Sequence, residues 1–203
     1  MRRLRSASAR QARRAASAAG QTLVEMAIVL PIVMMVSLGL VEVSYAVLHQ
    51  HVISRITREG ANLISRDVSL LDATTAIKSM STTPVDFDNG SQLVLSVLKK
   101  GSVVGSANYD KVVLYQRYHI GTLGSASTLT TRGPAVFGPA PDFRVANSDT
   151  DMNLQIANLP ANVDITRGGL LYVAEVFTEH ERLTPLDKFG ITIPTTLQSI
   201  AYF

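Results

Sequence analysis

The sequence predicts an α+β protein: a long N-terminal transmembrane helix followed by a small antiparallel β-rich extracytoplasmic domain. Three observations predict it. Met26–Val41 is a run of sixteen residues without a charge. From that run to residue 67, apolar residues keep recurring at three- and four-residue steps, the period of a helix. Beyond residue 90 the pattern changes to alternating and β-branched segments separated by turn residues, the signature of strands.

Residues 1–20 form a basic leader. Arg2, Arg3, Arg5, Arg10, Arg13 and Arg14 stand there with no acidic residue. Without those six, 13 basic residues remain against 16 acidic ones, so residues 21–203 are near −3 although the whole chain is +3. The basic balance therefore belongs to the leader, and no nucleic-acid partner is expected. An organelle transit peptide is also Arg-rich and acid-poor, but it would not run at once into an apolar span. The chain has no cysteine, which excludes disulfides, thiolate zinc sites and thiol catalysis. It has no tryptophan, which weakens a carbohydrate-stacking role.

The long helix is expected over 21–67, with 23–48 as its membrane-embedded part. With its flanks the apolar run reaches the roughly 20 residues that cross a bilayer. It is longer than the apolar region of a cleavable signal and lacks a small-residue exit, so the anchor is expected to be retained. The arginines lie on its N-terminal side, which predicts N-terminus in the cytoplasm and the rest outside. Pro31 removes a donor in mid-span and crowds the carbonyl of Ala27, so a kink or loosened turn is expected over residues 27–31. Neighbouring helices can satisfy such a carbonyl in lipid.

Glu25 is the demanding residue. An acid within an apolar span costs roughly 2.5–3.5 kcal/mol at mid-bilayer, less toward the edge, and is normally kept only where it finds a partner. Gly20-Gln21-Thr22-Leu23-Val24-Glu25 resembles the processing site of type IV prepilins, which a membrane peptidase cuts after the glycine. A cut between Gly20 and Gln21 would free an α-amine one helical turn from Glu25. That amine, or the amine of a neighbouring subunit, would neutralise the carboxylate. The alternative is a plain signal anchor, with Glu25 near the cytoplasmic headgroups. Type IV prepilins commonly carry Phe after the cut, whereas this chain has Gln21, which can cyclise to pyroglutamate. The open amine is expected; an intact mass showing loss of ammonia from the mature terminus would contradict it. Glu42 falls about 31 Å along the axis from Gln21 at 1.5 Å per residue, close to the outer interface, where solvation is expected to suffice.

Past the span, Tyr45, Leu48, Val52, Ile56, Glu59 and Leu63 continue one helical stripe, Arg55 and Glu59 form an i,i+4 pair, and Gly60-Ala61 permits close helix approach. The string Val24-Glu25-Met26-Ala27-Ile28-Val29-Leu30-Pro31, followed by Gly39, Glu42 and then Arg58-Glu59-Gly60-Ala61, is similar to the TadE-like family. The C-terminus carries a weaker echo in residues 172–177, 183–185 and 201–203. The resemblance covers residues 20–62. It implies a minor pseudopilin of a tight-adherence (Tad, Flp-type) pilus, matured by a prepilin peptidase and serving surface adhesion. It implies as partners the lipid bilayer, that peptidase and other pilin or Tad pilus subunits. Processing would fall at Gly20 and Gln21, and assembly on Glu25, Pro31, Gly39, Glu42, Arg58, Glu59 and Gly60. The protein would sit in the bacterial inner membrane with a periplasmic C-terminal domain, or in the cell-surface pilus. Two other readings stay open: an uncleaved, membrane-anchored periplasmic assembly factor, and a type II secretion pseudopilin.

Residues 68–90 read as a connector rich in turn chemistry, and 91–203 as the extracytoplasmic β-rich domain. Strands are expected over 92–98, 111–120 and 170–178, with a short one at 191–193 before Pro194. A long Gly/Pro/Ser/Thr-rich loop is expected over 121–151. Core candidates are Leu93, Leu95, Val113, Tyr115, Leu171, Val173 and Val176. No enzyme, cofactor or metal centre is expected. Asp86-x-Asp88-x-Gly90 resembles the start of a calcium loop but lacks the closing Glu and reads as a turn. His49 and His51 point to different helix faces; His119 and His180 read as lone residues. Glu175 alternates with Val173 and Phe177 onto one face, buried or paired across the sheet.

Overall fold

Helix α1 runs from Arg2 to Ser65 in the computed structural model, which describes residues 2–184, 188, 190 and 194–203, with side chains from Gln21 onward. The helix continues through Pro31, which has no N–H to donate to the Ala27 carbonyl. The helix stops where Arg66 N–H reaches back to the Leu63 carbonyl and Asp67 takes φ +60°. That left-handed step is one that Asp tolerates better than most residues. The chain divides into two compact units. The first holds α1 through Tyr45 with the stretch from Arg182; the second holds Ala46–Glu181 and Pro194–Phe203.

In the second unit a second helix, α2, spans Leu70–Met80, within the stretch expected to be a connector. The signal for it was present. The Ser69 hydroxyl oxygen accepts from Asp72 N–H at 3.1 Å, capping the first turn. Leu70, Ala73, Thr74 and Ile77 then recur at helical spacing and are all buried. The turn residues on either side, Asp67 before it and Pro84–Gly90 after it, masked the helix. Asp86 and Asp88 do form a turn, with Asp88 N–H donating to the Asp86 carboxylate at 2.9 Å.

Four strands follow: β1 Ser91–Lys100, β2 Val112–Gly121, β3 Leu170–Glu179 and β4 Thr196–Tyr202. All pairings are antiparallel, in the order β2-β1-β3-β4. This is the antiparallel sheet expected. The strand expected at 191–193 lies outside the described residues, and the fourth strand is β4. Between β1 and β2 the register shifts after Val97↔Gln116 to Leu98↔Leu114, leaving Tyr115 as a bulged residue. The bulge accounts for Tyr115 being only partly buried, unlike Leu93, Leu95, Val113, Val173 and Val176, which are at 0% exposure.

The sheet is covered on both faces. One layer joins Ile53, Ile56, Ala61 and Ile64 of α1 and Leu70, Ala73 and Ile77 of α2 to Leu93, Leu95, Val97, Ala174 and Val176. Gly60 lets these layers meet: a Cβ there would lie 2.9 Å from Ile77 Cδ1, 3.4 Å from Ala174 Cβ and 3.5 Å from Leu95 Cδ2. A second cluster packs Leu98, Leu114, Leu171 and Val173 under Leu129 and Ile165 of the long β2–β3 connection. Val145 and Leu154 add further buried apolar anchors to that connection, and polar contacts hold it as well. Glu175, 1% exposed on β3, accepts from Thr128 N–H at 2.8 Å and from the Ser127 and Thr128 hydroxyls. Arg117 donates to Ser96 Oγ at 2.9 Å and to the Leu129 carbonyl at 3.0 Å. Burial pulls its guanidinium below the ordinary value, and the Glu175 carboxylate works against that. Of the two fates expected for Glu175, burial is the one realised, with loop hydroxyls as its partners.

Candidate functional site

The functional surface is α1. Among the described residues, Gln21–Ser65 is the one helix long and apolar enough to cross a membrane. Its most apolar stretch is not buried, which separates it from the core helix of a soluble protein. The side chains bear this out: Leu23 is 72% exposed, Ile28 61%, Val33 55% and Leu40 65%. So many large apolar groups facing outward need a non-aqueous partner. Ser44 satisfies itself locally, its Oγ donating to the Leu40 carbonyl at 2.7 Å.

Glu25 lies on this exposed surface. The Gln21 side-chain amide donates to its Oε1 at 3.0 Å, across one helical turn. Sequence reasoning assigned Glu25 to the α-amine of residue 21 and overlooked the side chain of the same residue. Pro31 lies on the exposed face. Gly39 is half-buried, yet a Cβ added to it would meet nothing within 4 Å.

Glu42 departs from expectation. Rather than solvated, it is 1% exposed. Its Oε2 accepts from Leu183 N–H at 3.2 Å and from Thr184 Oγ1 at 2.8 Å, while Oε1 lies 3.4 Å from the same amide. A carboxylate that gives up water must recover its hydrogen bonds elsewhere, and the Leu183 amide and Thr184 hydroxyl are two of its donors. No local pattern pairs positions 141 and 142 residues apart, so the sequence held no sign of this contact.

Further along α1, Arg58 is exposed and Glu59 half-buried, the latter 3.4 Å from Arg55 Nε as the i,i+4 spacing predicted. Gly60 is buried in the core of its own unit. The structure also brings His49 to His180, ring centroids 5.5 Å apart and edge-to-face, where sequence reasoning treated His180 as isolated. Among the described residues no group of three or more His, Cys, Asp or Glu side chains could hold a metal ion.

The fold defines an α+β protein whose N-terminal helix is built to meet lipid or other apolar helices. Residues 20–62 of this helix match the model of the TadE-like protein family. That range contains every residue singled out above for processing or assembly. The match makes this segment of the chain similar to TadE-like proteins. No curated protein matches the chain, and no solved structure does.

Proposed function

We propose that this chain is a minor pilin-like subunit of a Tad/Flp-type pilus, inserted N-in and C-out, cut after Gly20 by a prepilin peptidase, and packed helix to helix in a fibre that serves surface adhesion. The observation that carries the proposal is Glu25: an acid on the bare apolar face of a helix whose residues 20–62 match the TadE-like family. In lipid the carboxylate lacks water and needs a donor. A freed α-amine, its own or a sister subunit's, supplies a charged one, and the Gln21 amide already serves as a neutral one. Register then follows from charge: subunits stack where each Glu25 meets an amine.

Pro31, Gly39, Arg58 and Glu59 remain candidates for contacts between subunits. Glu42 and Gly60 serve the chain's own packing. The reading is tested by N-terminal peptide mass spectrometry on sheared surface material and on membranes separately. Gln21 is expected as the first residue of the sheared form, with its mass unreduced by loss of ammonia. Glu25→Gln is expected to leave cleavage largely intact while lowering incorporation into fibres; unaltered incorporation would refute the register role. A protein that keeps its arginines while pili form normally would favour the uncut assembly factor.

A further inference from the structure

We propose that Arg182–Thr184 is a membrane-interface clasp: Glu42 holds this segment against α1, and Leu183 enters the outer edge of the bilayer beside the helix. The inference rests on the reading of α1 as a membrane span.

The geometry begins with Glu42. Its carboxylate takes the Leu183 amide at 3.2 Å and the Thr184 hydroxyl at 2.8 Å, and the residue is 1% exposed. The residues on either side of it in α1, Val41 and Val43, are 49% and 60% exposed. The segment therefore covers Glu42 and leaves Val41 and Val43 bare. Counted from Gln21, Glu42 lies about 31 Å along the axis, level with the far side of a hydrocarbon core about 30 Å thick. An uncovered carboxylate there would hold the helix out toward water. A carboxylate enclosed by an amide and a hydroxyl does not, so immersion can continue past it to Tyr45, an interfacial residue type.

Leu183 identifies the occupant of this surface. It is an apolar side chain, 50% exposed, whose own amide is bound to Glu42. Its exposed surface thus lies near the level of Val41 and Val43 along the helix. A bilayer offers one apolar phase to all three.

The chain has neither tryptophan nor cysteine, so a single introduced tryptophan reports its own surroundings. The full chain is reconstituted in phosphatidylethanolamine–phosphatidylglycerol vesicles doped with a dibrominated phospholipid, in three versions: Val33→Trp, Val43→Trp and Leu183→Trp. Leu183→Trp is expected to be quenched by shallow bromines about as strongly as Val43→Trp, and weakly by aqueous iodide. Strong iodide quenching with no bromolipid effect overturns the clasp, as does protection from both quenchers, which would mean a protein partner. Adding Glu42→Gln or Thr184→Val to Leu183→Trp is expected to shift quenching from bromolipid toward iodide; no shift removes Glu42 from the device. If Val33→Trp also escapes bromolipid, the membrane span itself fails; if Val33→Trp is quenched and Leu183→Trp is not, the clasp alone fails.

Discussion

Glu25, Glu42 and Glu175 are three carboxylates with three environments, and each environment is set by what stands within about one hydrogen bond of the side chain. Glu25 lies open on an apolar face with one amide for company. Glu42 and Glu175 are each 1% exposed and receive both backbone N–H and hydroxyl donors. Hydrogen bonds to a charged group contribute roughly 1.5–3 kcal/mol each, and stranded donors cost more. Glu175→Ala is therefore expected to destabilise the second unit by about 3 kcal/mol, seen as a lowered midpoint in chemical denaturation. Glu175→Gln should cost less, since it keeps an acceptor for Thr128 N–H. Titration offers a second check at this scale. Burial, and after it the Glu175 carboxylate, push the Tyr202 phenol above its ordinary value; burial, and after it Asp67, do the same for Tyr172. A raised folded-state value means that the native chain holds its proton more tightly than the unfolded one. The resulting stability is complete below about pH 10, the unfolded value, and is lost as pH rises through the folded values. Phenolate absorbance should rise in a late phase that coincides with alkaline unfolding, and Tyr202→Phe should remove part of it.

At the scale of elements, the crossing of α1, α2 and the sheet turns on Gly60. The nearest obstacle to a Cβ there, Ile77 Cδ1 at 2.9 Å, is the mobile tip of a side chain, whereas Ala174 Cβ at 3.4 Å cannot rotate away. Gly60→Ala gains about 1 kcal/mol of helix propensity, which offsets the displaced tip, and should change the melting temperature little. Gly60→Leu must push α1 off the sheet and is expected to cost about 1–3 kcal/mol or more. Equal melting temperatures for the two variants would contradict this account of the crossing. The elements also show where reading the sequence succeeds. Strands β1, β2 and β3 were legible because alternation over ten residues is a strong local signal. Helix α2 was missed because eleven residues flanked by turn chemistry resemble a connector unless the Ser69 cap and the 70-73-74-77 spacing are read together.

At the scale of the whole molecule, charge separates residues 1–20 from the rest. The full chain is +3, and its 16 acidic residues all lie after residue 20. Removal of residues 1–20 takes away six arginines and leaves the remainder near −3. Processing is therefore expected to move the protein from basic to acidic in isoelectric focusing, a change of sign far larger than any plausible modification of one terminus. A pilus-associated form that still focuses as a basic protein would contradict maturation after Gly20.

The amino-acid order by itself determined the apolar helix, the strand periods, the basic charge of residues 1–20 and the TadE-like similarity of residues 20–62, because each is written in residues close together in the chain. Only the tertiary structure decided that Glu42 is enclosed, that Gly60 is spent on the chain's own core, that Glu175 ties down a loop and that His49 meets His180. Those contacts join residues far apart in the chain. They form because a polar group leaving water takes whichever donor the fold brings within reach, and periodicity carries no record of that.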